Sequence, residues 1–221
     1  MRIVLPSGTP AELFVPEDVP PTRGVVLFPD IGGLRPLFDE LVQWLATENG
    51  WAVIAPEPFP GQELPTIEDR FAAIPGLDDH DVLGDAVAAA AHLGVEPVAV
   101  MGFCMGGMYA LKAAGNGRFD KAVAFYGMIT VPAGWKSPGH GEPLDAVAAE
   151  GASPVLAIVG TEDGYTPAHE LELLEAAGAT VVRYDGAEHG FVHDASRPSH
   201  RKEDAADAWQ RVTVFLDPSD S

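Results

Sequence analysis

The sequence predicts an α/β fold with a mostly parallel central sheet flanked by helices, and three observations carry that expectation. Short β-rich runs alternate with longer helical ones along all 221 residues. The β-rich runs are apolar throughout, as strands buried on both faces are, rather than alternating as half-exposed strands do. Gly, Pro or Asp stands at or near their ends, where a chain leaves a sheet for a loop.

The elements follow in chain order. "RIVL" and "AELFV" flank Pro6-Ser7-Gly8-Thr9 and read as an N-terminal antiparallel hairpin. "GVVLFPD" (24–30), "WAVIAPE" (51–57), "PVAVMGF" (97–103), "KAVAFYG" (121–127), "PVLAIVG" (154–160) and "ATVVRYD" (179–185) read as the parallel strands. Helices are expected near 35–49, 81–93, 105–116, 142–149, 168–177 and 200–216. The last carries Ala205, Ala208, Trp209, Val212 and Leu216 on one stripe of helical period. Two connections, 58–80 and 131–143, are expected to be irregular. No internal repeat, low-complexity tract or linker interrupts this pattern, so residues 1–221 are expected to form one domain.

Composition narrows the function classes. A formal net charge of −20 disfavours nucleic acid and anionic membranes, both of which need basic footprints. No apolar stretch is long enough to span a bilayer, and Pro6 and Gly8 break the N-terminus before a signal-peptide core could form. A cytoplasmic protein acting on a small molecule, as a monomer or small homo-oligomer, is the expectation. The single cysteine excludes an internal disulfide and a cysteine-based zinc site.

That cysteine stands in a telling place. In open parallel sheets, sites form beyond the carboxyl ends of the strands. The strand at 97–103 runs into Cys104, then Met105-Gly106-Gly107 and a helix. A sharp strand-to-helix turn with small neighbours holds its central side chain away from the sheet, as in a nucleophile elbow. The helix N-terminus favours thiolate over thiol. A lone cysteine is more often a small core residue, but this setting favours a nucleophile.

A nucleophile needs a base, and the base needs an orienting group. "GTEDGYTP" places Asp163 after the strand at 154–160, and "GAEHGF" places His189 after the strand at 179–185. The order nucleophile, acid, histidine is that of α/β-hydrolases. Glu162, Asp185 and Glu188 compete as the acid, and Asp163 is preferred because Gly164 and Pro167 suggest a tight turn presenting it. Acyl transfer also needs donors for an oxyanion. The backbone N–H groups of Met105 and of Ile31, in "FPDIGGL", are the candidates.

With these motifs in place, the sequence resembles the dienelactone hydrolases (carboxymethylenebutenolidases) of the α/β-hydrolase superfamily over nearly its whole length. "FPDIGGL", "GFCMGG", "GTEDGYTP", "GAEHGF" and the tail "SRPSHRKEDAADAWQRVTVFL" carry the resemblance. It implies a Cys104–His189–Asp163 triad that opens an enol-lactone through a thioester. It gives Asp30 the place of a thiol-activating carboxylate, one methylene shorter than the family's usual Glu. It also implies arginines that hold a substrate carboxylate. His193 stands where one of them lies in the family, Arg70 is the candidate for the other, and Arg197 is a further candidate. No metal or cofactor is implied.

Cysteine suits such chemistry. A thiolate is a strong nucleophile but also a good leaving group, so a poor alkoxide leaving group sends the intermediate back to substrate. An enolate leaves more readily and is then trapped as the ketone. Activated esters and enol-lactones are therefore the expected substrates, with a general small-ester hydrolase or thioesterase as the alternative. A glutamine amidotransferase would need His-x-Glu where this chain has His189-Gly190-Phe191. A redox sensor would leave the acid–histidine pair unexplained, and the chain has no resolving cysteine. A metal held by His189 and His193 would need the helix that Gly190-Phe191 does not suggest.

Overall fold

The structure, a computed structural model, describes residues 1–217. β1 (Arg2–Val4) and β2 (Pro10–Phe14) form the expected hairpin, and β2 also pairs antiparallel with β4 (Ala52–Pro56). The pairings among β4, β3 (Gly24–Phe28), β5 (Val98–Phe103), β6 (Ala122–Phe125), β7 (Val155–Gly160) and β8 (Thr180–Tyr184) are all parallel. The sheet has eight strands in the order β1-β2-β4-β3-β5-β6-β7-β8. This is the α/β architecture the alternating pattern predicts.

Two strands, β3 and β6, end two residues before their expected runs do, and both exits lead to the site. β3 stops at Phe28 because Pro29 has no N–H to continue the ladder. β6 stops at Phe125 because Tyr126 turns into the positive-φ region, at 42°.

Helices cover both faces. α1 (Pro36–Asn49) and α7 (Lys202–Leu216) bury Phe38, Val42, Leu45, Ala208 and Val212 with Val25 and Leu27 of β3. α3 (Asp79–Leu93), α4 (Met105–Ala114), α5 (Pro143–Val147) and α6 (Ala168–Ala176) pack on the other face with Val26 and Phe28. Successive residues of one strand thus feed two separate cores, which is why the strands read as unbroken apolar runs. Among the described residues no helix is long and apolar enough to cross a membrane.

The segment expected to be irregular at 58–80 contains a helix, α2 (Ile67–Ala73). Thr66 caps it by accepting the Asp69 N–H, while the Asp69 carboxylate accepts the Thr66 N–H. This reciprocal box was readable as "TIED", but α2 buries none of its residues, so no apolar stripe announced it. A 3₁₀ turn follows at 74–76, and another interrupts the 131–143 connection at 133–135.

Candidate active site

Cys104 lies between β5 and α4 with φ 57° and ψ −119°. A side chain with a β-carbon costs roughly 1–3 kcal/mol in such a conformation and persists only where its surroundings enforce it. The enforcement comes from close backbone contacts. A Cβ on Gly102 would lie 2.0 Å from the Gly106 carbonyl oxygen, and one on Gly106 would lie 2.3 Å from the carbonyl oxygens of Phe28 and Pro29. The first turn of α4 therefore rests against the end of β3, which brings the loop beginning at Asp30 beside Cys104. The N–H groups of Ile31 and Met105 have no hydrogen-bond partner among the described residues, so both are free to serve as donors.

The structure brings the three residues of the expected triad together. His189 Nδ1 lies 2.8 Å from Asp163 Oδ2, and Asp163 Oδ1 accepts the Tyr165 N–H at 2.9 Å. A carboxylate can only accept here, so Nδ1 carries the proton and Nε2 is left for the thiol side. Nε2 is buried without a fully formed hydrogen bond, yet Cys104 is close enough to favour the imidazolium. Burial opposes that charge, but Asp163 and Cys104 outweigh it and push the His189 pKa up to about 9. The rings of Tyr126 and Tyr165 brace the imidazole at centroid distances of 5.1 and 4.9 Å. Of the competing acids, Glu162, Asp185 and Glu188 are exposed while Asp163 is buried.

Asp30 sits in the wall of the same cleft, but its carboxylate is already engaged. It accepts from both terminal nitrogens of Arg35 at 2.7 and 2.9 Å, from the Gly32 N–H at 2.8 Å, and from His193 Nε2 at 3.0 Å. Burial alone would raise its pKa, but His193 and Arg35 hold it well below the usual carboxylate range. Among the described residues no hydrogen bond joins Asp30 to Cys104.

Two candidate substrate contacts, His193 and Arg70, are not among the residues that line the cleft. His193 does not line the cleft: its side chain is fully buried, packed against the rings of Phe103, Phe38 and Tyr126. Since Nε2 donates to Asp30, Nδ1 accepts from the Tyr126 hydroxyl. Burial favours a neutral imidazole, with the pKa pushed down, and also holds the Tyr126 phenol protonated, as this bonding requires. Arg70 does not line the cleft either; its Nη1 donates to the Ile31 carbonyl oxygen at 3.3 Å. Arg197 does line it, 37 % exposed, with only loose ion pairs to Asp194 (3.6 Å) and Asp30 (3.8 Å). The cavity above Cys104 has a volume of about 170 Å³, and Ile67, Phe71, Trp135 and Tyr165 give it an apolar wall.

Arg35 and Tyr126 escaped the sequence reading. Arg35 stands five residues past Asp30 at the start of α1, close enough to have been considered as its counter-ion. Tyr126 carried no comparable signal, because its role depends on a left-handed backbone turn and a contact with a residue 67 positions away.

This arrangement of elbow, loop and strand ends agrees with comparison to known proteins. The model of the "Dienelactone hydrolase family" matches residues 10–219. The chain belongs to the dienelactone hydrolase family. It is 33% identical to a carboxymethylenebutenolidase of Rhodococcus opacus over 205 residues, 87% of this chain and 80% of that one. It is 28% identical to a carboxymethylenebutenolidase of Pseudomonas putida, covering 91% of this chain and 88% of the other. A Klebsiella pneumoniae protein assigned as a dienelactone hydrolase superposes with a TM-score of 0.83 at 27% identity, over 97% of this chain and 96% of its own. The family and its solved relatives make this chain a hydrolase of ester or lactone bonds. Within a dienelactone hydrolase framework, then, an Asp30–Arg35–His193 cluster occupies the places that the resemblance assigned to a thiol-activating Glu and a substrate-binding arginine.

Proposed function

We propose that this chain opens an enol-lactone, or cleaves a related activated ester, through a thioester on Cys104. The observation that carries the proposal is the His189 imidazole, tied to Asp163 at 2.8 Å and presenting its other nitrogen to a cysteine at a strained elbow. The Cys104 thiolate attacks the lactone carbonyl carbon, and the N–H groups of Ile31 and Met105 receive the oxyanion. Collapse breaks the carbon–oxygen bond, and the departing enolate takes the proton from the His189 imidazolium and becomes a ketone. Water, deprotonated by His189, then attacks the thioester; the thiolate leaves and the acid product departs.

Arg197 is the group suited to a substrate carboxylate, since its guanidinium faces the cleft and has donors to spare. A panel of a dienelactone carboxylate, neutral p-nitrophenyl acetate and an acyl thioester tests the substrate class. The expected result is a kcat/KM for the dienelactone about tenfold or more above that for the neutral ester, the worth of one good charge-assisted contact. Preference for the neutral ester would overturn the lactone reading and favour a general small-ester hydrolase, which the apolar wall of Ile67, Phe71 and Trp135 would suit.

The His189 pKa gives a second test. The imidazolium is present below about pH 9 and is lost as pH rises through that value, so kcat/KM should fall on the alkaline side with an apparent pKa near 9. In D163N the main group raising that pKa is removed, and the alkaline limb should move to lower pH. A pH–rate profile for both proteins checks this, and a limb unmoved in D163N would separate Asp163 from His189.

A further inference from the structure

Arg70 reaches the loop whose Ile31 N–H is one of the two proposed oxyanion donors. That loop is a β-turn: the Gly33 N–H donates to the Asp30 carbonyl at 2.9 Å, with Ile31 and Gly32 at its centre. The peptide between the two central residues is the unit that inverts when a turn changes type, and glycine in the third position permits both types. Here that peptide is held at both ends. Its N–H, on Gly32, donates to Asp30 Oδ1 at 2.8 Å, and its carbonyl, on Ile31, accepts from Arg70 Nη1. The next residue, Gly33, has φ +64° and lies so close to Glu57 and Arg70 that a Cβ would be 2.6 Å from Glu57 Oε1 and 3.0 Å from Arg70 Nη1. Glu57 fixes the far side by accepting the Leu34 N–H at 2.8 Å.

Resting on the hydrolase reading above, we propose that Arg70 is a positioning residue that holds the Asp30–Gly33 turn in the conformation presenting the Ile31 N–H to the oxyanion. Arg70 belongs to α2, whose Ile67 and Phe71 form part of the cleft wall. Two residues of the cleft wall and the donor to the Ile31 carbonyl thus belong to the same short, surface-lying helix. This role differs from that of a carboxylate anchor, which acts on anionic substrates only.

The test compares R70M and R70K with the wild type on neutral p-nitrophenyl acetate and on anionic mono-p-nitrophenyl glutarate. It is paired with hydrogen exchange of the 30–35 amides. R70M keeps the aliphatic stem and removes the donor; no residue of α2 is buried, so the fold should persist. The expected result is a fall in kcat of about tenfold or more, equal on both esters, with KM within about twofold. R70K, which restores a donor for the Ile31 carbonyl, should recover most of kcat, and exchange of the 30–35 amides should accelerate in R70M but not in R70K. A rise in KM confined to the glutarate ester would overturn the proposal and make Arg70 an anchor; unchanged kcat or unchanged exchange in R70M would overturn it as well. A wild type inactive on both esters would instead overturn the hydrolase reading, and the exchange measurement would then decide the part of Arg70 by itself.

Discussion

Cys104→Ala should abolish hydrolysis of activated esters, with kcat/KM falling about 10⁴-fold or more, toward the residual rate that binding and oxyanion contacts alone support. The substitution keeps the β-carbon, so the strained backbone at φ 57° is neither relieved nor worsened and the elbow should stay in place. What disappears is the sulfur facing His189, while the His189–Asp163 pair remains intact. Cys104→Ser is the companion variant: a hydroxyl is far harder to ionise than a thiol, so activity should fall steeply while the geometry persists. Release of p-nitrophenolate gives the rates, and the mass of acyl-enzyme trapped at low pH locates the covalent bond. Full activity in the alanine variant would remove Cys104 as the nucleophile and with it the thioester mechanism.

Gly106→Ala should destabilise the protein by about 3–5 kcal/mol, lowering Tm by about 10 °C or more. The added methyl would stand 2.3 Å from two carbonyl oxygens, those of Phe28 and Pro29, where neither neighbour is a flexible side-chain end. Relief requires α4 to move off the end of β3, which separates Met105 from the Ile31 turn and dismantles the elbow. Activity should therefore be lost even in the fraction that remains folded. Gly84→Ala is the control. Gly84 is exposed in α3 with nothing within 4 Å of its Cβ position, so alanine there should stabilise by about 0.5–1 kcal/mol through helix propensity. Thermal unfolding of the two variants should move Tm in opposite directions. A Gly106→Ala protein that melts like wild type would show that the α4–β3 contact can open at little cost.

Much of the fold was legible because its signals are local. A strand buried on both faces must be apolar along its length, and a helix with one buried stripe must repeat near 3.6 residues. Both features survive in any short window of sequence. The exception, α2, is a helix without a buried residue, held by a capping box and therefore invisible to a search for apolar periodicity. The elbow was legible for a similar reason, since Gly102, Cys104, Gly106 and Gly107 lie within six consecutive residues. Asp163 and His189 could be located because each follows a readable strand, and parallel strands deliver their carboxyl ends to one edge of the sheet.

By itself, then, the sequence determined the α/β sheet, the sharp turn at Cys104 and the placing of an acid and a histidine at neighbouring strand ends. Each depends on residues close together in the chain. Only the tertiary structure decided what the charged groups around the cleft do. Asp30 meets His193 across 163 positions and Arg70 meets the Ile31 carbonyl across 39, and neither spacing leaves a local trace. A buried carboxylate must collect every donor within reach, and a cation goes to whichever acceptor it can approach with the least loss of hydration. Those choices are settled by distance in the folded molecule, which is why His193 bonds Asp30 and Arg70 bonds the Ile31 carbonyl while Arg197 lines the cleft.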